Sequence, residues 1–339
     1  MDKAGADAYV YARACGMYGR SFVGPRARRL FSLKRLQELW SLLYAEEVPL
    51  IPEGLLALQI ERKSEERIVS EFTRLISFYD EPNPVAIALL SLYEYNNLKA
   101  VAASLSLGKT EKPFIVDIGK FSFINWKKWP NIAAMTRNTV VSWFKAVPAP
   151  ADLVLQETRL DHQYYQSLWK AIGSLGAKDR EFAEPLIREE IVLQNIVWAL
   201  RLRVYYGKTA TEIIPLLAGH SLGAKDSEPL CAPALAILHK PVDVWAEWGD
   251  WKYAWILNPH EEGVPWSLDP RWAQLAADRY LYRLALKTFH QSAFTVGMLV
   301  SFFKIKQLEV QMIRVASEGL RLGSSEDQMQ GFLGDGQDV

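Results

Sequence analysis

The sequence predicts an all-α protein, and three observations carry that expectation. Apolar residues recur at helical spacing along most of the chain, alternating strand patterns are scarce, and one glycine-stopped helical pattern is written three times. In the first copy, Leu92-Tyr93-Glu94-Tyr95-Asn96-Asn97-Leu98-Lys99 leads to Leu107-Gly108-Lys109-Thr110. In the second, Glu190-Ile191-Val192-Leu193-Gln194-Asn195-Ile196 leads to Tyr206-Gly207-Lys208-Thr209. In the third, Leu308-Glu309-Val310-Gln311-Met312-Ile313-Arg314 leads to Leu322-Gly323-Ser324-Ser325. Each copy opens polar-apolar-Asn, with Met312 standing for Asn in the third, and reaches its glycine 11 or 12 residues later. The three glycines are 99 and 116 residues apart. That spacing divides the chain into three similar helical domains, 1–118, 119–225 and 226–330, followed by a tail at 331–339.

Bulk properties set the frame. The chain has 339 residues, half of them apolar, and carries 39 basic against 39 acidic residues. That length suffices for two or three domains with sizeable cores. The charge balance offers no support for wholesale nucleic-acid binding. Cys15 and Cys231 are far apart and make neither a disulfide framework nor a metal set, which suits a reducing compartment.

Taken in order, the N-terminal region opens without a signal-peptide core. It then concentrates Arg20, Arg26, Arg28, Arg29, Lys34 and Arg35 within 16 residues with no intervening acid. One reading is a solvated loop and helix face; the other is a positive patch for an acidic partner or lipid headgroups. In the first repeat, Leu98, Val101 and Leu105 share a helical face. The following stretch, Phe114 to Phe123, reads equally as a short strand or an apolar connection. Breaks are expected over Lys112–Asn131 and Ala218–Pro233, where Pro and Gly accumulate. In the second repeat, Leu193, Ile196, Leu200 and Val204 recur at helical spacing. Trp245, Trp248, Trp251 and Trp255 are also spaced helically, with Trp266 and Trp272 close behind. They read either as inter-helix packing or as a partly exposed aromatic docking face. Around Ala293 to Phe303 lies the longest apolar run, far short of the ~20 residues of a membrane span. The third repeat continues the helix through Ile305, Leu308, Met312, Val315, Gly319 and Leu322. After each repeat glycine come a Thr or Ser and then acids, which predicts a new N-cap and a helical hairpin with a long and a short arm. The tail from Gly331 is expected to fray.

Chemical motifs are weighed against this helical background. Gly-Lys-Thr at 108–110 and 207–209 resembles the end of a phosphate-binding loop. The glycine that loop requires five residues upstream is replaced by Ala103 and Leu202, and a helix precedes where a strand is needed. The five histidines, His162, His220, His239, His260 and His290, have no metal-ligand spacing. No nucleophile elbow is present, and no cofactor, metal or catalytic residue is expected.

Three further segments carry a family resemblance. Tyr9-Val10-Tyr11-Ala12-Arg13-Ala14 is similar to an opening Tyr-x-x-Ala-Arg pattern. Glu157-Thr158-Arg159-Leu160-Asp161-His162-Gln163-Tyr164-Tyr165 resembles a Glu-x-x-Leu-Asp-x-x-Tyr-Phe segment. Lys306-Gln307-Leu308-Glu309-Val310-Gln311-Met312-Ile313-Arg314, with Gly319 and Gly323, resembles a Lys-Glu-x-Glu-Ile-x-Asn-Ile-Arg helix with two trailing glycines. All three occur in order in the central-stalk connector of V-type and archaeal-type rotary ATPases, called C in prokaryotes and d in eukaryotes. Gln307, Met312 and Leu320 depart from the usual Glu, Asn and Lys, which suggests a divergent, bacterial member. The resemblance implies a funnel-shaped body of three helical domains on the cytoplasmic face of the membrane, peripheral rather than transmembrane. Its implied partners are the shaft subunits D and F and the membrane proteolipid (c/K) ring, with no nucleic acid. The implied role is non-catalytic: it transmits torque between ATP turnover and proton or sodium transport. A generic α-helical scaffold, or an all-α enzyme with an unrecognised site, are the alternatives.

Overall fold

Long amphipathic stretches become long helices. The computed structural model describes residues 3–326, and among them it contains twelve α-helices, short 3-10 turns and no strand. In chain order these are α1 (Lys3–Tyr18), α2 (Arg28–Phe31), α3 (Leu36–Leu43), α4 (Glu53–Ile76), α5 (Pro84–Ser106) and α6 (Ile132–Met135). They continue as α7 (Leu153–Gly173), α8 (Ala177–Tyr206), α9 (Ala210–Ile213), α10 (Ala224–Leu235), α11 (Pro270–Gln291) and α12 (Val296–Leu322). The tail from Gly331 lies outside the described residues.

The chain folds as two compact units. One contains the described residues up to Ala86, Val116–Ile118, and those from Tyr282 onward. The other contains Ile87–Ile115 and Gly119–Leu281. The chain passes from one unit to the other inside helices, within α5 and within α11.

In the first unit α4 lies along α12 for most of its length. Helix α4 buries Leu56, Ile60, Ser64, Ile68 and Phe72, a file at four-residue intervals. Small residues allow close approach: Ser317 of α12 donates to the Ala57 carbonyl at 3.4 Å. Leu30, Phe31, Leu36, Leu39 and Trp40 close one end of this core against Met312 and Ile313. The apolar run 293–303 supplies its other part, with Val300, Phe302 and Phe303 fully buried. Among the described residues no helix is long and apolar enough to cross a membrane.

The second unit is built on α8, which packs against α10 and α7. Leu230, Cys231 and Ala234 of α10 are buried there. A helix therefore occupies part of the break expected over Ala218–Pro233. Pro229 and Pro233 lie inside α10 and do not end it, because burial of its apolar face outweighs two lost backbone donors.

Other expectations are refined. Phe114 to Phe123 is an irregular connection, not a strand. The break over Lys112–Asn131 is irregular apart from two 3-10 turns. The tryptophans from Trp245 to Trp255 do not form a helix; Trp245 and Trp248 lie on the short 3-10 turn Trp245–Trp248, Trp255 lies on Ala254–Ile256, and Trp251 lies in the irregular chain between. The helical hairpin forms after the second glycine, where the short arm is the four-residue α9; the short arm expected after Gly323 lies beyond Glu326, outside the described residues. After Gly108 the chain is irregular as far as Gly119.

Candidate functional site

The repeat glycines stop helices. Gly207 and Gly323 are the C-caps of α8 and α12 at φ 59° and 67°, and Gly108 follows α5 at φ 70°. All three adopt the left-handed conformation that closes a helix and that glycine reaches without Cβ strain. After Gly207, Thr209 and Glu212 form a reciprocal capping box at the start of α9. Hydrogen bonds from Lys208 and from the Thr209 backbone and hydroxyl hold the Glu212 carboxyl down to about 2. Lys208 is thus occupied by Glu212 at 2.8 Å, and the second Gly-Lys-Thr is a cap.

Each repeat helix also carries a buried polar side chain that ties down non-helical backbone. Asn195 is 1% exposed. Its Oδ1 accepts from the Ala218 N–H at 2.7 Å, while its Nδ2 donates to the carbonyls of Ala218 and Leu230 at 2.9 and 3.0 Å. Glu94 on α5 is fully buried. It accepts from the Ser122 hydroxyl at 2.7 Å, the Ile124 N–H at 3.0 Å and the Trp126 indole at 3.1 Å. Burial pushes its carboxyl pKa up, and these donors offset part of the rise.

Glu309 on α12 occupies the equivalent position three residues before Met312, and its surroundings are ionic. It accepts from the Phe22 N–H at 2.9 Å and from Arg67 at 3.1 Å, and it pairs with Lys306 one turn earlier. Lys306, only 3% exposed, also reaches the Ser21 hydroxyl at 3.2 Å and lies 2.9 Å from the Glu71 carboxylate. Two cations and two anions balance one another. Burial pushes the Glu309 carboxyl up, but Lys306, Arg67 and the Phe22 N–H outweigh it, and the net direction is down. The Lys306-x-x-Glu309 pair quoted from sequence therefore braces the first unit.

The other two quoted segments are also structural. Asp161 on α7 pairs with Lys99 on α5. Tyr164 is buried between the rings of Tyr95 and Tyr165, at 5.9 and 5.0 Å. His162 binds the Leu216 carbonyl at 2.6 Å, and burial pushes its pKa down. On α1, Tyr9 packs edge-on against Phe78, and Arg13 lies over the Tyr9 ring.

The basic cluster divides into bound and free members. Arg26 donates to the Tyr18 and Ser21 carbonyls at 2.9 and 2.8 Å and lies over the Tyr18 ring, closing the end of α1. Arg35 pairs with Glu38 at 3.0 Å, and Lys34 lies 3.8 Å from Glu326. Arg20, Arg28 and Arg29 are exposed and make no ion pair among the described residues.

The tryptophans divide likewise. Trp248, Trp251 and Trp266 are buried, and each indole N–H finds a backbone carbonyl: Pro241, Pro233 and Asn258 respectively. Trp255 and Trp272 are nearly half exposed. Among the described residues no group of three or more His, Cys, Asp and Glu side chains is placed to hold a metal ion.

Glu94, Arg67 and Glu71 were not distinguished by the sequence reading. The signal for Glu94 was its offset from Asn97, which equals that of Glu309 from Met312.

A family model described as ATP synthase (C/AC39) subunit matches residues 10–332. A protein of Treponema pallidum (strain Nichols), described as uncharacterized, is 33% identical over 330 residues, covering 97% of each chain.

Proposed function

The chain belongs to the ATP synthase (C/AC39) subunit family, and from that premise we propose that it is the non-catalytic central-stalk socket of a V/A-type rotary ATPase. In this reading it joins the D/F shaft to the membrane proteolipid ring at the cytoplasmic face and passes torque during proton or sodium transport. The observation that carries the proposal is the family match over residues 10–332. Its support is the use of the quoted motif residues. Lys306, Glu309, Asp161 and Tyr164 are engaged in bracing contacts rather than aimed into a cleft. A torque-bearing body gains from such internal bracing, and needs docking surfaces rather than an active site.

The division into three repeat domains belongs to the same proposal, with the three left-handed glycine stops as its local support. So does the use of Arg20, Arg28 and Arg29 against an acidic partner. Arg26 is excluded from that role by its bonds to Tyr18 and Ser21.

The test is recovery of the tagged full-length chain from detergent-solubilised membranes. The proteolipid ring and the shaft should co-purify, the triple charge reversal at Arg20, Arg28 and Arg29 should weaken shaft recovery, and the purified chain should not turn over ATP. Loss of both partners, or measurable ATP hydrolysis by the isolated chain, would sink the reading.

A further inference from the structure

Residues 119–151 contain Lys120, Lys127, Lys128, Arg137 and Lys145 and not a single Asp or Glu. The chain as a whole is neutral, so its remainder is net acidic. All five cations are exposed, and none makes an ion pair among the described residues. The segment is irregular but folded. Its 3-10 turn Trp126–Lys128 packs on α6, the Asn125 N–H donates to the Met135 carbonyl at 3.0 Å, and the Thr136 hydroxyl donates to the Phe144 carbonyl at 2.8 Å. Glu94 fastens its base through Ser122, Ile124 and Trp126. The cations are thus carried on one folded segment, the 119–151 lobe.

A cleft of about 540 Å³ opens in this lobe, lined by Arg137, Lys145, Asn131, Asn138 and Ser142. Asn131 commits its Oδ1 to the Ala134 N–H, which leaves its Nδ2 as a donor. No acid lines the cleft, so a ligand there meets two cations and neutral donors. Apolar groups lie among the charges: Val140 and Val147 are 57% and 44% exposed, and Trp126 and Trp129 are half-buried.

We propose that the 119–151 lobe binds the anionic headgroup surface of a lipid bilayer, with a headgroup phosphate in the Arg137–Lys145 cleft. Cations attract an anionic leaflet, an indole such as that of Trp129 favours the headgroup level, and exposed valines gain from partial insertion. A long nucleic acid is disfavoured, because a polyanion running past the lobe would meet the net acidic remainder of the chain. The inference rests on the reading that the chain works at a membrane.

The test is co-sedimentation of the full-length chain with vesicles of phosphatidylcholine, and of phosphatidylcholine mixed with phosphatidylglycerol. Binding should require phosphatidylglycerol and fall with added salt. It should drop about fivefold for each of Lys127→Gln, Lys128→Gln, Arg137→Gln and Lys145→Gln. These side chains are exposed, so an unchanged melting profile is expected and serves as the folding control. Equal binding to both vesicle types, or undiminished binding when all four substitutions are combined in one chain, overturns the proposal. So does binding to poly-glutamate without binding to vesicles, which would make the lobe a protein-docking surface. A chain that recovers the ring from detergent but ignores anionic vesicles overturns this inference alone. One that binds the vesicles but recovers neither ring nor shaft overturns the coupling reading alone.

Discussion

Glu94 and Glu309 stand at equivalent places in two copies of one helical motif, yet their surroundings push them in opposite directions. Glu309 faces Lys306 and Arg67, so its carboxylate is favoured despite burial. Its contribution to stability is present above the unfolded pKa and is lost as pH falls through the lowered folded value. Glu94 has only neutral donors, and burial raises its pKa. Its folded state holds a proton more tightly than its unfolded state. The associated stability is therefore present below the unfolded pKa and is lost as pH rises through the folded one. Glu94→Gln should remove that pH dependence. It should also cost about 1–3 kcal/mol at neutral pH, because an amide cannot accept from Ser122, Ile124 and Trp126 together. Denaturant melts across the acid range, on wild type and variant, measure both effects. The sequence contained the two glutamates at matching offsets, but their different electrostatics came from elsewhere. Arg67 reaches Glu309 from 242 positions away, a distance over which local pattern carries no information.

At the scale of elements, the glycine stops were the most legible feature. Gly-Lys-Thr without an upstream glycine reads as a helix stop, as does the Gly-Ser-Ser of the third copy, and Gly207 and Gly323 are both left-handed C-caps. A Cβ built at Gly207 would meet nothing within 4 Å, so substitution there probes backbone strain alone. Gly207→Ala should cost about 1–2 kcal/mol in chemical unfolding. Gly207→Asn should cost less, since Asn tolerates the left-handed region better. A loss much above that would mean the glycine does more than end a helix. Two element-level expectations failed for one reason, tertiary contact overriding local preference. Prolines at 229 and 233 pointed to a break, but the buried face of Leu230, Cys231 and Ala234 kept α10 helical. Helical spacing of Trp245 to Trp255 pointed to a helix. Instead, the Trp248 indole takes the Pro241 carbonyl of irregular chain, and the Trp251 indole takes the Pro233 carbonyl in the last turn of α10, where the helix leaves its carbonyls unpaired.

For the whole molecule, helical class was readable from periodicity, and the family was readable from three short segments in the right order. The lobe at 119–151 was not, because zero net charge over 339 residues conceals an acid-free stretch compensated elsewhere. The two-unit organisation was also hidden, since contacts between α4 and α12 join regions more than 200 residues apart. That contact makes the C-terminal region essential to the first unit. A chain stopped after Gln291 lacks α12 and leaves Leu56, Ile60 and Phe72 without their partner helix. It should partition into the pellet on expression, whereas the full-length chain stays in the supernatant.

The same connectivity has a consequence for the order of events during synthesis. Helix α4 leaves the ribosome some 220 residues before its partner α12 begins. At 5–20 residues per second it waits roughly 10–45 s with its apolar file uncovered. The second unit, nearly continuous in sequence, has all its residues in hand before that wait ends. The first unit to begin synthesis is thus the last to close, and during the interval its unpaired helix is a natural client for a chaperone.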